Sequence, residues 1–100
     1  MPYPVVFSEI AINDLAEIAI WIAQRAGKQI AHAYVERLKA FALRIGGYPH
    51  GDTPRDEFAP GLRSVTFERR YVIIYRTDNA SVEVMRIISG YRNLGLILRE

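Results

Sequence analysis

General acid–base chemistry at neutral pH needs a side chain that titrates there, and this chain carries two histidines, His32 and His50, and no cysteine. His32 stands four residues before Glu36, a spacing that puts both on one helical face, but a zinc site needs at least three protein ligands and no third is evident. A solvated helix face accounts for the pair as well. His50 sits beside Gly51 and Asp52 among turn formers, where a turn role explains it. Gly46-Gly47 lacks the Lys-Ser/Thr and the preceding strand of a phosphate loop, and the sequence has neither a serine-centred elbow nor a paired-carboxylate motif. These residues supply no complete catalytic set, and no cofactor or metal is expected.

Binding residues are better represented. Net charge is +2, but residues 1–60 sum to −1 while residues 61–100 hold seven arginines against four acids. Arginine's planar fork binds carboxylates and phosphates in bidentate fashion, so an acidic peptide or a nucleic acid is a plausible partner; a solvated sheet face is the plainer alternative. Arg63 alternates with Val65 and Phe67 on one strand face, and Arg70, Val72, Ile74 and Arg76 share a face of the next. Arg86 and Arg92 follow on or just after the last strand. Such a row can grip anions, or it can cover apolar surface with its side-chain stems. Trp21 lies about 110° from the centre of its helix's apolar stripe, either packed on the second helix or the loop, or exposed as a partner-binding anchor.

The elements that must position these residues follow from periodicity. Tyr3 to Phe7 reads as a short strand, and Ser8 offers a cap to a helix over Ile10 to Ala26. In that helix Ala11, Leu15, Ile18, Ala19, Ile22 and Ala26 form the apolar side, with Asp14, Glu17, Gln24 and Arg25 opposite. Gly27 stops it, and Ile30, Tyr34, Leu38, Phe41 and Ile45 mark a second helix ended by Gly46-Gly47, so the two make an antiparallel hairpin. Residues 48–60 contain three prolines and should be an irregular connector. Leu62 to Phe67, Tyr71 to Thr77 and Val82 to Ser89 then read as an antiparallel meander. The order β-α-α-β-β-β predicts an α+β domain, a helical hairpin packed on a small, mostly antiparallel sheet.

A chain of 100 residues, half of them hydrophobic, makes one domain spanning 1–100. The lack of cysteine suits a reducing cytoplasm, and the opening residues form neither a signal peptide nor a membrane span. A soluble cytoplasmic protein without membrane contact is the expectation.

Several short motifs occur in a particular order. Val6-Phe7-Ser8 precedes Ala11, Asp14-Leu15, Ile18 and Trp21-Ile22-Ala23; then come Tyr48-Pro49-His50-Gly51, Pro54-Arg55-Asp56-Glu57 and Gly61-Leu62-Arg63-Ser64. An aromatic-rich strand from Tyr71 to Arg76 and a last one from Val84 to Asn93 complete the set. Over nearly the whole chain this order resembles the RelE/ParE superfamily of small bacterial toxins, on the ParE side. RelE-like members are ribosome-dependent messenger RNA endonucleases with a basic cluster and a C-terminal tyrosine; ParE-like members bind DNA gyrase. Where the RelE pattern has an arginine after the first tyrosine of the central strand, this chain has Val72, and residues 94–100 hold no tyrosine. Arg63 and Arg92 do stand where RelE has basic residues, so Arg63, Arg70 and Arg92 are the set an endonuclease reading would use.

The resemblance implies a toxin of a type II toxin-antitoxin system of the plasmid-stabilising kind, noncatalytic and directed at gyrase. It implies a ParD-like antitoxin bound in a hetero-oligomer, with no sequence-specific DNA binding by the toxin alone. Trp21, Arg63, Arg76, Arg86 and Arg92 are the expected partner-binding residues, on an apolar groove with a basic rim.

Overall fold

A computed structural model describes residues 2–51 and 53–90. Strand β1 (Val5–Phe7) runs into helix α1 (Glu9–Ala26) through Ser8, whose hydroxyl oxygen accepts from the Ala11 amide at 3.0 Å. The same hydroxyl donates to the Met85 carbonyl at 2.8 Å, so one side chain caps the helix and ties its start to the sheet. Gly27, at φ 97, is the whole joint between α1 and α2 (Lys28–Leu43). A side chain there would be strained in the left-handed region, and the reversal it permits lays α2 back along α1.

A 3-10 turn, Arg44–Gly47, ends the hairpin and approaches β1 closely. The Tyr3 amide donates to the Gly46 carbonyl at 2.8 Å, and a Cβ on Gly46 would overlap the Tyr3 carbonyl oxygen.

The remaining strands are β2 (Thr53–Pro54), β3 (Leu62–Phe67), β4 (Tyr71–Thr77) and β5 (Val82–Ser89). They form one sheet in the order β1-β5-β4-β3-β2, antiparallel except for the β1–β5 pair, which is parallel. The domain is α+β, as expected, and the three long strands coincide with the three predicted apolar runs. Two differences arise. The connector contributes the two-residue edge strand β2, and Ile30 is exposed rather than part of the core. Every residue from Gln24 to Ile30 is exposed, and none of them belongs to either core cluster.

Both helices cover one face of the sheet. Leu15, Ile18, Ile22 and Leu38 meet Ile73, Tyr75, Val84 and Ile87 there. On the other face Leu62, Val72, Ile74 and Ile88 form a smaller cluster with Phe58 and Ala59 of the connector. Strand β4 is thus buried on both sides, which explains its unbroken apolar run where a one-sided strand would alternate. Each such side chain contributes about 1.5–3 kcal/mol on burial.

Two turns close the meander. Glu68 and Arg69 both have positive φ, 50 and 58, the backbone of a primed hairpin turn normally given to Asn or Gly. At the other end the Asp78 carboxylate accepts from the Ala80 and Ser81 amides at 2.7 and 2.8 Å, which holds its carboxyl below the usual range.

A candidate partner-binding cleft

Helix α1 crosses the sheet beside the end where β4 begins and β5 finishes, and the space between them is a cleft of about 520 Å³. Asp14, Glu17, Ile18 and Trp21 line it from the helix, Arg70 and Tyr71 from the β3–β4 hairpin, and Arg86 to Ser89 from β5.

Asp14 corrects the sequence-based reading of α1. It was expected on the polar side but is buried, with its side chain 8% exposed. The carboxylate accepts from Arg86 Nε at 2.9 Å and Nη2 at 3.2 Å, and from the Ile87 amide at 2.9 Å. A local irregularity allows this. Ile74 pairs with Arg86 and Tyr75 with Val84, which leaves Met85 unopposed as a bulge. The bulge re-aims the strand beside α1, and Ser8 satisfies the Met85 carbonyl. Arg86 is therefore first a structural partner of Asp14, and only part of its side chain, 28%, is exposed at the cleft.

Trp21 is 47% exposed on the cleft wall, not sealed beneath the second helix or the loop. The Arg25 guanidinium stacks 3.9 Å from the indole centroid and also donates to the Trp21 carbonyl at 3.1 Å. On the opposite wall, Arg70 ends the turn that Glu68 and Arg69 hold in left-handed backbone. That turn is fastened to α2 by a bidentate Arg37–Glu68 pair at 3.2 and 3.3 Å. Burial raises the Tyr71 phenol above its ordinary value, against the opposing pull of Arg70, so it is a poor general base at neutral pH.

The arginines do not form a single row. Trp21, Arg70 and Arg86 come together at the cleft, while Arg63 and Arg76 stand toward the opposite end of the sheet. Arg63 pairs in register with Tyr75, five residues from Arg70 along β4, a distance of about 17 Å. Leu62 pairs with Arg76, so Arg63 and Arg76 project from opposite faces. Arg92 lies outside the described residues. Neither histidine lines the cleft. Among the described residues no group of three His, Cys, Asp or Glu side chains can hold a metal ion, and no helix is long and apolar enough to cross a membrane. What the cleft offers is a flat aromatic surface, cations and carboxylates, the equipment of a binding site.

Hydrophobic periodicity missed Asp14 because it assigns every charged residue to the solvent side. The one available signal was its spacing, since Asp14 falls between Ala11, Leu15 and Ile18 on the buried stripe.

A helical hairpin on a five-stranded mixed sheet, with a cleft at one end, defines a small α+β domain built to bind. The family model described as "ParE toxin of type II toxin-antitoxin system, parDE" matches residues 5–94, and the chain belongs to that family. It is 26% identical over 82 residues to Toxin ParE3 of Caulobacter vibrioides, covering 82% of this chain and 81% of that one. A solved structure described as a chromosomal ParDE TA system from P. aeruginosa superimposes with a TM-score of 0.78 at 19% identity. The match covers 87% of this chain and 95% of that one, and it is a likeness of fold.

Proposed function

We propose that this ParE-type toxin acts on DNA gyrase by binding, without chemistry of its own, and that a ParD-like antitoxin neutralises it in a hetero-oligomer. The observation that carries the noncatalytic half is Val72. It occupies the position at which the ribonuclease pattern places an arginine, and it is buried at 8% exposure in the second core. A guanidinium there would have to leave water without a partner, a cost of several kcal/mol. The distance between Arg63 and Arg70 supports the same reading, since cations at opposite ends of a hairpin do not converge on one scissile phosphate. Gyrase as the target is drawn from membership of the family.

The antitoxin tail would run along the helical hairpin, using the exposed Trp21 as an anchor with Arg86 beside it and Arg63 further along the face the helices cover; Arg76 projects from the other face, away from that path. Burying an indole of this kind supplies a large share of an interface's energy. Induction of the toxin in cells should arrest growth with messenger RNA intact and be relieved by co-expression of the antitoxin. Growth arrest accompanied by cleaved messenger RNA and abolished by Arg70→Ala would overturn the reading in favour of a ribonuclease. For the interface, Trp21→Ala combined with Arg63→Ala should weaken antitoxin binding at least tenfold; unchanged affinity would remove those residues from it.

A further inference from the structure

We propose that the cleft between α1 and the β3–β4 hairpin binds an unpaired nucleotide of a single-stranded nucleic acid, its base stacked on Trp21 and its phosphate on Arg70. The proposal goes beyond the gyrase reading and does not depend on it.

Four observations meet at this place. The indole of Trp21 is 47% exposed and already bears a guanidinium, that of Arg25, at 3.9 Å, so the ring sits in a cationic stack of the kind that draws a flat, electron-rich ligand. Opposite it stands exposed Arg70, carried on a turn whose two preceding residues, Glu68 and Arg69, hold left-handed backbone without a glycine. Such backbone costs on the order of 1 kcal/mol per residue and persists where the side chains it presents are needed. The Arg37–Glu68 pair fastens that turn to α2, so Arg70 is offered from a fixed base. Finally, the cleft's volume of about 520 Å³ accommodates a nucleotide.

The signs of charge select the ligand. An acidic peptide would find Arg70, but it would also meet the Glu17 carboxylate inside the same cleft, Asp14 being already engaged by Arg86. A nucleotide carries both signs of hydrogen-bonding partner: the phosphate is an anion for Arg70, and the amino and imino groups on the base edge are donors for a carboxylate such as Glu17. Stacking tolerates every base and hydrogen bonding to phosphate ignores sequence, so binding should favour unpaired strands without reading their order.

Trp21 is the chain's only tryptophan, which makes its fluorescence a direct report from the cleft. The full-length toxin is titrated with a deoxyadenylate strand of about ten nucleotides, with its ribonucleotide equivalent, with the same sequence as a duplex, with heparin and with a poly-glutamate peptide. Saturable quenching by both single strands, much weaker with the duplex, is the expected result. By anisotropy of a labelled strand, Trp21→Ala should weaken binding roughly tenfold to a hundredfold, and Trp21→Phe should restore most of it. Arg70→Ala should weaken binding and lower the salt slope by about one. Both positions are exposed, and circular dichroism checks that the variants are folded. The proposal is overturned by an absence of saturable quenching up to about 1 mM strand, well above ordinary nonspecific affinities. Equal quenching by heparin or poly-glutamate overturns it too, as does a Trp21→Ala protein that binds the strand unchanged. Binding by only one of the two strands would refute the sequence- and sugar-blind stacking argued here.

Discussion

Substituting Asp14 tests how the cleft is built. In Asp14→Ala the Ile87 amide loses its acceptor at 2.9 Å, and an unsatisfied buried donor costs about 1–3 kcal/mol. The Arg86 guanidinium loses its counter-charge as well. Breaking a fully buried pair costs about 3–5 kcal/mol, but Arg86 is 28% exposed and water can reach it, so the charge contributes less here. Together these give a destabilisation of about 3 kcal/mol, or a fall in Tm of roughly 12–24 °C for a domain of this size. Arg86→Met should cost about 2 kcal/mol, because Asp14 keeps the Ile87 amide but loses its cation. The double variant should then lose about 2 kcal/mol less than the sum of the singles, since neither partner is left behind. Urea unfolding followed by far-ultraviolet circular dichroism measures all three. Single substitutions costing under about 0.5 kcal/mol, or strictly additive ones, would show that the pair does not hold α1 to the bulged strand.

The Tyr34 hydroxyl is buried between Phe67 and Tyr71 with no hydrogen-bond partner among the described residues, so Tyr34→Phe should leave stability unchanged or raise it by up to about 1 kcal/mol in the same urea assay. Burial raises both tyrosines' pKa values, aided at Tyr34 by Glu68, so the unfolded chain ionises first; stability should be fully present below about pH 10 and fall as pH rises through the folded values, less steeply in Tyr34→Phe. Arg69→Gly should raise stability by about 1 kcal/mol by relieving its left-handed backbone, and a destabilised variant would mean that the turn is not strained.

Much of the fold was legible because local pattern and tertiary environment agree in most elements. The apolar run Tyr71 to Tyr75 reads as a strand, which the fold covers on both sides, and Ser8 and Gly27 mark the ends of α1 by chemistry that acts within a few residues. What escaped the sequence depends on distant partners. The parallel pairing of β1 with β5 joins residues 5–7 to residues 82–84, and no spacing encodes it. The bulge at Met85 and the burial of Asp14 belong to one long-range arrangement, 72 residues apart, that periodicity reads as a charge on the wrong side. Ile30 was misjudged for the complementary reason: its spacing is right for the stripe, but the stretch from Gln24 to Ile30 that carries it is exposed throughout.

The site was legible as an inventory more than as a geometry. Trp21's angle from the apolar stripe left a packed and an exposed position both open, and the fold leaves the ring half-exposed, while the arginines looked alike until the strands separated them. Alternation put Arg63 and Arg76 on strand faces, but only the register shows that those faces are opposite. Arg86 stood in the sequence as one more cation, and its engagement with Asp14 required the fold.

The proposed binding of gyrase by this toxin is tested with purified components. Gyrase, relaxed plasmid, ATP and the toxin are incubated together, with and without antitoxin, and the DNA is resolved after the protein is denatured. Inhibited supercoiling and accumulation of cleaved, gyrase-linked DNA are expected, both reversed by antitoxin. Full supercoiling with no cleaved DNA at excess toxin would contradict the proposed binding.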